Sequence, residues 1–162
     1  MKKILLAFVA FLVFILFYSC RVVTNECPYN MDPALKAPDS EIVRLDNYIS
    51  SNNITATKHS SGIYYQIISQ GTGDYPNQCS TVGVTYIGTL TTGAEFDRSN
   101  TTIYFPLNTL ITGWRIGIPL VKKGGKVRLY IPPDFGYGQE DRTGIPKNSI
   151  LIFDITLNDI VN

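Results

Sequence analysis

Hydrophobic and polar residues alternate through the C-terminal part of the chain, which is the pattern of strands that bury one face. The alternation is cleanest at 81–90, where every second residue from Val82 to Leu90 is apolar or glycine. A turn follows, and the chain returns from Glu95 as the second strand of a hairpin. Pro106 marks a further short strand as an edge or a break. Besides the hairpin, strands are predicted in four segments: 63–69, 103–107, 127–131 and 149–158.

Apolar residues at helical spacing predict an amphipathic helix before the first strand, from about Glu41 to Ser50. Asp39 or Ser40 is its expected N-cap. Its apolar face consists of Ile42, Leu45 and Ile49.

A second helical segment, 109–118, contains the only tryptophan, Trp114. Leu110 and Ile111 precede Trp114 at roughly helical spacing, and Asn108 is the expected N-cap. Two interpretations of Trp114 are open at this point. It is either the floor of a pocket walled by the flanking strands, or only a core residue.

Together these elements predict an α+β domain at 61–162, in which one short helix packs across one face of a mostly antiparallel sheet of about five strands. The amphipathic helix and a connector occupy 39–60, and the proline-interrupted stretch 20–38 is expected to be a tether. The loop 134–148 is rich in aromatic and apolar residues, which favours a packed, functional loop.

Residues 1–19 have the features of a secretory signal peptide. Lys2 and Lys3 precede an unbroken apolar run of 15 residues from Ile4 to Tyr18. This run is shorter than the roughly 20 residues that a membrane-spanning helix needs, and it fits the hydrophobic region of a signal peptide. The globular part is therefore expected outside the cytoplasm.

Cleavage before Cys20 resembles the processing of a bacterial lipoprotein, in which that cysteine carries the lipid. Phe17 and Tyr18 depart from the leucine and small residue of the lipoprotein pattern. An uncleaved single-pass anchor and ordinary secretion are the alternatives. The resemblance implies a domain tethered to a lipid bilayer of the bacterial cell envelope, in the periplasm.

Charge and composition exclude several partner classes. The chain has 14 basic and 13 acidic residues, and removal of 1–19 would take away two lysines and leave a formal charge of −1. No basic stripe exists to hold a nucleic acid. The single histidine, His59, is expected in an exposed loop, and no ligand spacing predicts a metal or cofactor. Cys27 and Cys79 are a disulfide candidate in an oxidising compartment.

Aromatic residues, rather than nucleophiles, dominate the strand segments. The chain has no G-x-S-x-G motif and only one histidine, so a His-based catalytic triad finds no support. The aromatics either build a core or converge on an apolar cleft with few polar groups, as in a ligand site. They are Tyr86, Phe96, Phe105, Trp114, Tyr137 and Phe153.

Four segments, in order, resemble the signatures of FKBP-type peptidyl-prolyl isomerases. They are V-T-Y-I-G-T-L-T-T-G-A-E-F-D-R-S, F-P-L-N-T-L-I-T-G-W-R-I-G-I-P-L, I-P-P-D-F-G-Y-G and I-P-K-N-S-I-L-I-F-D-I-T-L. The resemblance covers about residues 60–160. It implies an FKBP-like fold, in which the sheet is twisted and wrapped on the short helix, and an isomerase site.

The resemblance also implies roles for particular residues. Trp114 is the pocket floor, and the Ile111 N–H and the Tyr137 hydroxyl hold substrate carbonyls. Asp97 and Tyr86 form a polar pair, in which Asp97 either faces the substrate or is a purely structural acceptor. The implied catalytic residues are Tyr86, Phe96, Asp97, Ile111, Trp114, Tyr137 and Phe153, and the implied substrate-binding residues are Leu110, Ile145 and Ile103.

The function implied is rotation of X-Pro bonds in exported proteins, by an apolar pocket without covalent catalysis. The expected substrates are proline-containing unfolded or partly folded proteins, and macrolide inhibitors are candidate ligands. The main alternative is a non-catalytic module that holds a peptide or partner in the same cleft. A structural envelope lipoprotein is a third hypothesis.

Overall fold

The computed structural model describes residues 27–162, so the predicted signal peptide and the lipidation site at Cys20 lie outside the described residues. Its strands form one six-stranded sheet in which all neighbours are antiparallel. The strands are β1 (Thr57–Lys58), β2 (Tyr64–Ser69), β3 (Thr81–Leu90), β4 (Glu95–Pro106), β5 (Lys126–Ile131) and β6 (Leu151–Val161). Their spatial order is β1-β2-β5-β6-β3-β4.

The predicted α+β class and antiparallel sheet are confirmed, but the strand count is six rather than five. β1 lies inside the predicted connector, where Thr57 pairs with Tyr65 and Lys58 with Tyr64. Both β1 residues are exposed, so no alternation marks the strand in the sequence. The segment 103–107 is not a separate strand, because β4 continues through a register irregularity and ends at Pro106 on the sheet edge.

The first helix, α1, spans Asp39–Ser51 and buries its predicted apolar face: Ile42, Leu45 and Ile49. Leu45 and Ile49 share a buried cluster with Tyr130 and Ile150. The cap prediction is wrong, because Pro38 occupies the N-cap position and no side chain caps the helix.

The second helix, α2, spans only Thr112–Gly117, and a separate 3-10 turn at Leu107–Thr109 precedes it. The predicted cap Asn108 lies within that turn. Ile111 is the N-cap residue, with the extended ψ of 147°. The predicted helix 109–118 is therefore too long at its start, because Leu110 and Ile111 are extended.

Two glycines let α2 lie directly on β5. A Cβ atom at Gly113 would be 2.5 Å from Ile131 side-chain atoms, and one at Gly117 would be 2.5 Å from the Leu129 Cδ2 atom. Leu129 and Ile131 are fully buried, so they have no free space into which to move. Glycine at both positions therefore sets the distance between helix and sheet.

The N-terminal segment of the described chain is joined to the domain by a disulfide. The Cys27 and Cys79 sulfurs are 2.07 Å apart and their Cα atoms 5.5 Å apart. Further along, the Ala37 N–H donates to the Ser61 carbonyl at 2.9 Å. Within 27–162, no helix is long and apolar enough to cross a membrane.

His59 is half-buried, so the prediction of an exposed loop residue is wrong. Its Nδ1 atom accepts the Ser61 N–H at 3.1 Å and lies 2.9 Å from the Ser61 hydroxyl oxygen. Burial lowers the pKa of this imidazole. The polar sequence around His59 concealed its burial, because the neighbouring serine supplies the hydrogen bonds locally.

Candidate active site

A cavity of about 200 Å³ lies between α2 and the β3, β4 and β6 end of the sheet. Tyr86 comes from β3, Phe153 from the neighbouring β6, and Tyr137 from the loop after β5. Most of the wall is aromatic or aliphatic, with a few polar atoms at fixed points. The lining residues are Tyr86, Asp97, Phe105, Leu110, Ile111, Trp114, Tyr137 and Phe153.

Trp114 forms the floor and is only 4% exposed. The rings of Tyr86 and Phe153 meet it edge-to-face, with centroid distances of 5.0 and 5.1 Å, and Phe105 lies at 6.4 Å. Edge-to-face contacts of this kind are favourable between aromatic rings. The buried indole Nε1–H has no hydrogen-bond partner in the described part of the chain.

Tyr86 and Asp97 form a polar pair in the wall. The Tyr86 hydroxyl donates to Asp97 Oδ2 at 2.7 Å. Burial raises the pKa of the Tyr86 phenol, and the hydrogen bond to Asp97 and its negative charge raise it further. The phenol is therefore neutral at physiological pH, and Asp97 itself is exposed to solvent.

Two further donors at the cavity have no partner among residues 27–162. The Tyr137 hydroxyl makes no hydrogen bond there, and burial, followed by the charge of Asp97, raises its pKa. The guanidinium of Arg142 opposes that rise and lies 4.8 Å from the centre of the Tyr137 ring. The second donor is the backbone N–H of Ile111, whose carbonyl begins α2 by accepting from Trp114 and Arg115.

The structure brings seven of the residues implied by the resemblance to this cavity, and three lie elsewhere. Phe96 packs edge-on against Phe153, with centroids 5.4 Å apart, outside the lining. Ile145 is buried in the core, only 7% exposed. Ile103 is 39% exposed on the edge strand β4.

Phe105 also lines the cavity. The sequence offers it among the aromatics that either build a core or converge on a cleft, but the family resemblance gives it no role. Phe105 pairs with Val82 on β3 and lies two residues after Ile103, so both are on the same side of β4. Its aromatic side chain immediately before Pro106 was the available signal. Phe105 belongs to the same continuous strand as Asp97, and not to a separate short strand.

Comparison with known proteins gives consistent results. The family model described as FKBP-type peptidyl-prolyl cis-trans isomerase matches residues 73–158. FkpA of Escherichia coli K12, a peptidyl-prolyl isomerase by name, is 45% identical over 104 residues, which are 62% of this chain and 38% of FkpA. A probable isomerase of this type from Haemophilus influenzae is 43% identical over 104 residues, with 62% and 43% covered. The chain thus spans less than half the length of these relatives.

Solved structures share the fold. The Escherichia coli FkpA crystal structure superposes with a TM-score of 0.68 at 37% identity, covering 75% of this chain and 60% of FkpA. A peptidyl-prolyl isomerase from Pseudomonas syringae pv. tomato gives a TM-score of 0.68 at 28% identity, covering 82% of this chain and all of that one. The predicted FKBP-like fold is confirmed. With its family match over more than half of its length, this chain belongs to the FKBP-type peptidyl-prolyl cis-trans isomerases.

Proposed function

We propose that the chain accelerates cis-trans isomerisation of X-Pro bonds in exported proteins. The observation that carries the proposal is the aromatic cavity around Trp114, with two donors at its wall that have no partner among residues 27–162. A volume of about 200 Å³ suits a small ring and its flanking amides.

The reaction needs no nucleophile. Rotation about an X-Pro bond crosses a barrier of roughly 20 kcal/mol, because twisting the amide destroys its resonance. The twisted amide has less charge separation than the planar one, so a water-poor aromatic pocket disfavours the planar ground state. Each tenfold increase in rate requires that the pocket favour the twisted amide over the planar one by about 1.4 kcal/mol.

We assign the roles from the positions of the side chains. Trp114 and Phe153 hold the proline ring, while the Ile111 N–H and the Tyr137 hydroxyl hold carbonyls on either side. Asp97 fixes the Tyr86 phenol by their 2.7 Å hydrogen bond and keeps a negative charge at the mouth of the cavity. A macrolide inhibitor of the family would compete with the substrate for the same cavity.

The test is catalysis of prolyl isomerisation in a short X-Pro peptide by the purified protein. Tyr137→Phe removes one proposed hydrogen bond to the substrate, so kcat/KM should fall about three- to tenfold. Tyr104→Phe is the matched control, because Tyr104 is exposed, its hydroxyl bonds Asp159 and neither residue lines the cavity, so its loss should leave the rate unchanged. Absence of catalysis by the folded wild type would instead favour the non-catalytic peptide-binding module.

For the chain as a whole, we propose a signal peptide at 1–19, a lipid on Cys20, a tether to residue 38, a helix and connector at 39–60 and the isomerase domain at 61–162. The apolar run before Cys20 supports this order.

When cells are fed a labelled fatty acid, the label should appear on the wild-type protein and on Ser19→Ala, but not on Cys20→Ala. Equal labelling of Cys20→Ala would contradict lipidation there, and an uncleaved N-terminus in the mass spectrum would support a membrane anchor.

A further inference from the structure

A second cavity, of about 380 Å³, is larger than the candidate active site and shares no residue with it. One wall is the segment that follows Cys27, including Met31 and Leu35, and another is the end of α2, with Ile116 and Pro119 nearby. His59, Gln78 and Arg115 add polar groups. The Cys27–Cys79 disulfide joins two chain segments that both contribute to this wall, one before Met31 and one beside Gln78.

Arg115 is held rigidly in the wall by Gln78. Its Nε–H donates to Gln78 Oε1 at 3.3 Å, and the Gln78 amide donates back to the Arg115 carbonyl at 2.8 Å. The guanidinium is half-buried, and within residues 27–162 it makes no ion pair with a carboxylate. A planar guanidinium with its terminal nitrogens available matches a carboxylate in two-point geometry.

His59 contributes a second donor. Because its Nδ1 accepts the Ser61 N–H, the neutral ring carries its proton on Nε2. The only acid in this wall is Asp32, which is exposed and accepts the Ala34 N–H at 2.8 Å. Arg115 and His59 are thus the half-buried side chains of this wall that can donate to a ligand, and five other lining residues, among them Leu35 and Ile116, are apolar.

We propose that this cavity binds an apolar monocarboxylate, with the carboxylate on Arg115 and the apolar body against Leu35, Ile116 and Pro119. Its volume is in the range of small-molecule sites. The C-terminus of a peptide with an apolar last residue and a medium-chain fatty acid both have this chemistry. The proposal does not depend on the isomerase function, because no residue is shared between the two cavities.

The first test is isothermal titration calorimetry of the full chain with N-acetyl-leucyl-leucine, its C-terminal amide and octanoate. The peptide acid should bind at least tenfold more tightly than the amide, because the amide lacks the charge that pairs with Arg115. Octanoate binding alone would identify the fatty acid as the source, and peptide acid binding alone the peptide terminus. Equal affinity for acid and amide, or no binding of any probe at millimolar concentration, would overturn the proposal.

The second test compares R115Q with R98Q. Arg98 is exposed and pairs with Glu95 at 3.0 Å, so R98Q removes the same charge away from the cavity. R115Q should weaken binding of the preferred acid at least tenfold, and R98Q should not change it. Unchanged affinity in R115Q would refute the site. If R115Q fails to fold, as judged by circular dichroism, the acid–amide comparison on the wild type decides.

Discussion

Single hydrogen bonds determine the behaviour of the polar groups at the candidate active site. The Tyr86 phenol is half-buried among aromatic rings and donates to Asp97, so its neutral form is favoured twice. The pKa of the Tyr86 phenol is therefore higher in the folded than in the unfolded chain. The stability that the folded protein gains from keeping this phenol neutral is complete below about pH 10. It is lost as the pH rises through the folded-state pKa.

Replacing Asp97 by Asn should therefore lower the pKa of the Tyr86 phenol, because the negative charge disappears while burial remains. Ultraviolet difference titration would measure the shift, with Tyr86→Phe identifying the signal that belongs to this residue. Asp39→Asn is a suitable control, because Asp39, at the start of α1, is an exposed carboxylate that pairs with Lys36. A Tyr86 pKa that is the same in Asp97→Asn and in the wild type would contradict the role of the pair.

The residue scale also shows where sequence reasoning stops. Trp114 and Phe153 were assigned from motif positions, and both line the cavity. Ile103 was assigned from the same resemblance, yet it is exposed, whereas Phe105 on the same strand reaches the indole. Motif spacing cannot separate these two residues, because their difference depends on how far each lies from α2.

At the scale of elements, α2 lies so close to β5 that a side chain at either of its two glycines would meet the buried residues of the strand. Gly117→Ala would place a methyl group against the fully buried Leu129, which should lower the free energy of unfolding by about 1–3 kcal/mol. Urea denaturation would measure the loss.

A steric cause predicts a specific rescue. Leu129→Val removes the end of the side chain that the new methyl group would meet, so the double variant should be less destabilised than the sum of the two single variants. Strict additivity would show that Gly117 is needed for some reason other than space.

The elements differ in how readily the sequence predicts them. The long strands β3 and β6 and the apolar face of α1 have clear periodicity. β3 and the apolar face are found as predicted, whereas β6 begins two residues later and ends three residues later than the predicted 149–158. The sequence does not predict β1 or the start of α2. A two-residue exposed strand and an extended pair of residues before a helix are too short to produce a periodic pattern of hydrophobic residues in the sequence. Only tertiary contacts define such short pieces.

At the scale of the whole molecule, the disulfide closes a loop between residues 52 positions apart. By the chain-entropy argument, such a loop stabilises the fold by roughly 4 kcal/mol, and measured values are typically 2–4 kcal/mol. The variant with both Cys27→Ser and Cys79→Ser should lose about that much in urea denaturation. A reducing agent should bring the wild type to the same value and leave the variant unchanged. Two free thiols in the untreated mature protein would contradict the cross-link.

The place of β6 in the sheet has a consequence for how the molecule is made. This strand follows the other five along the chain, yet it lies between β5 and β3 and pairs with both. Until it is available, the β3–β4 hairpin and the β2–β5 pair have no strand in common. A ribosome, or a channel that passes the chain from its N-terminus, must therefore deliver the residues of β6 as well as those of β1 to β5 before the sheet can close.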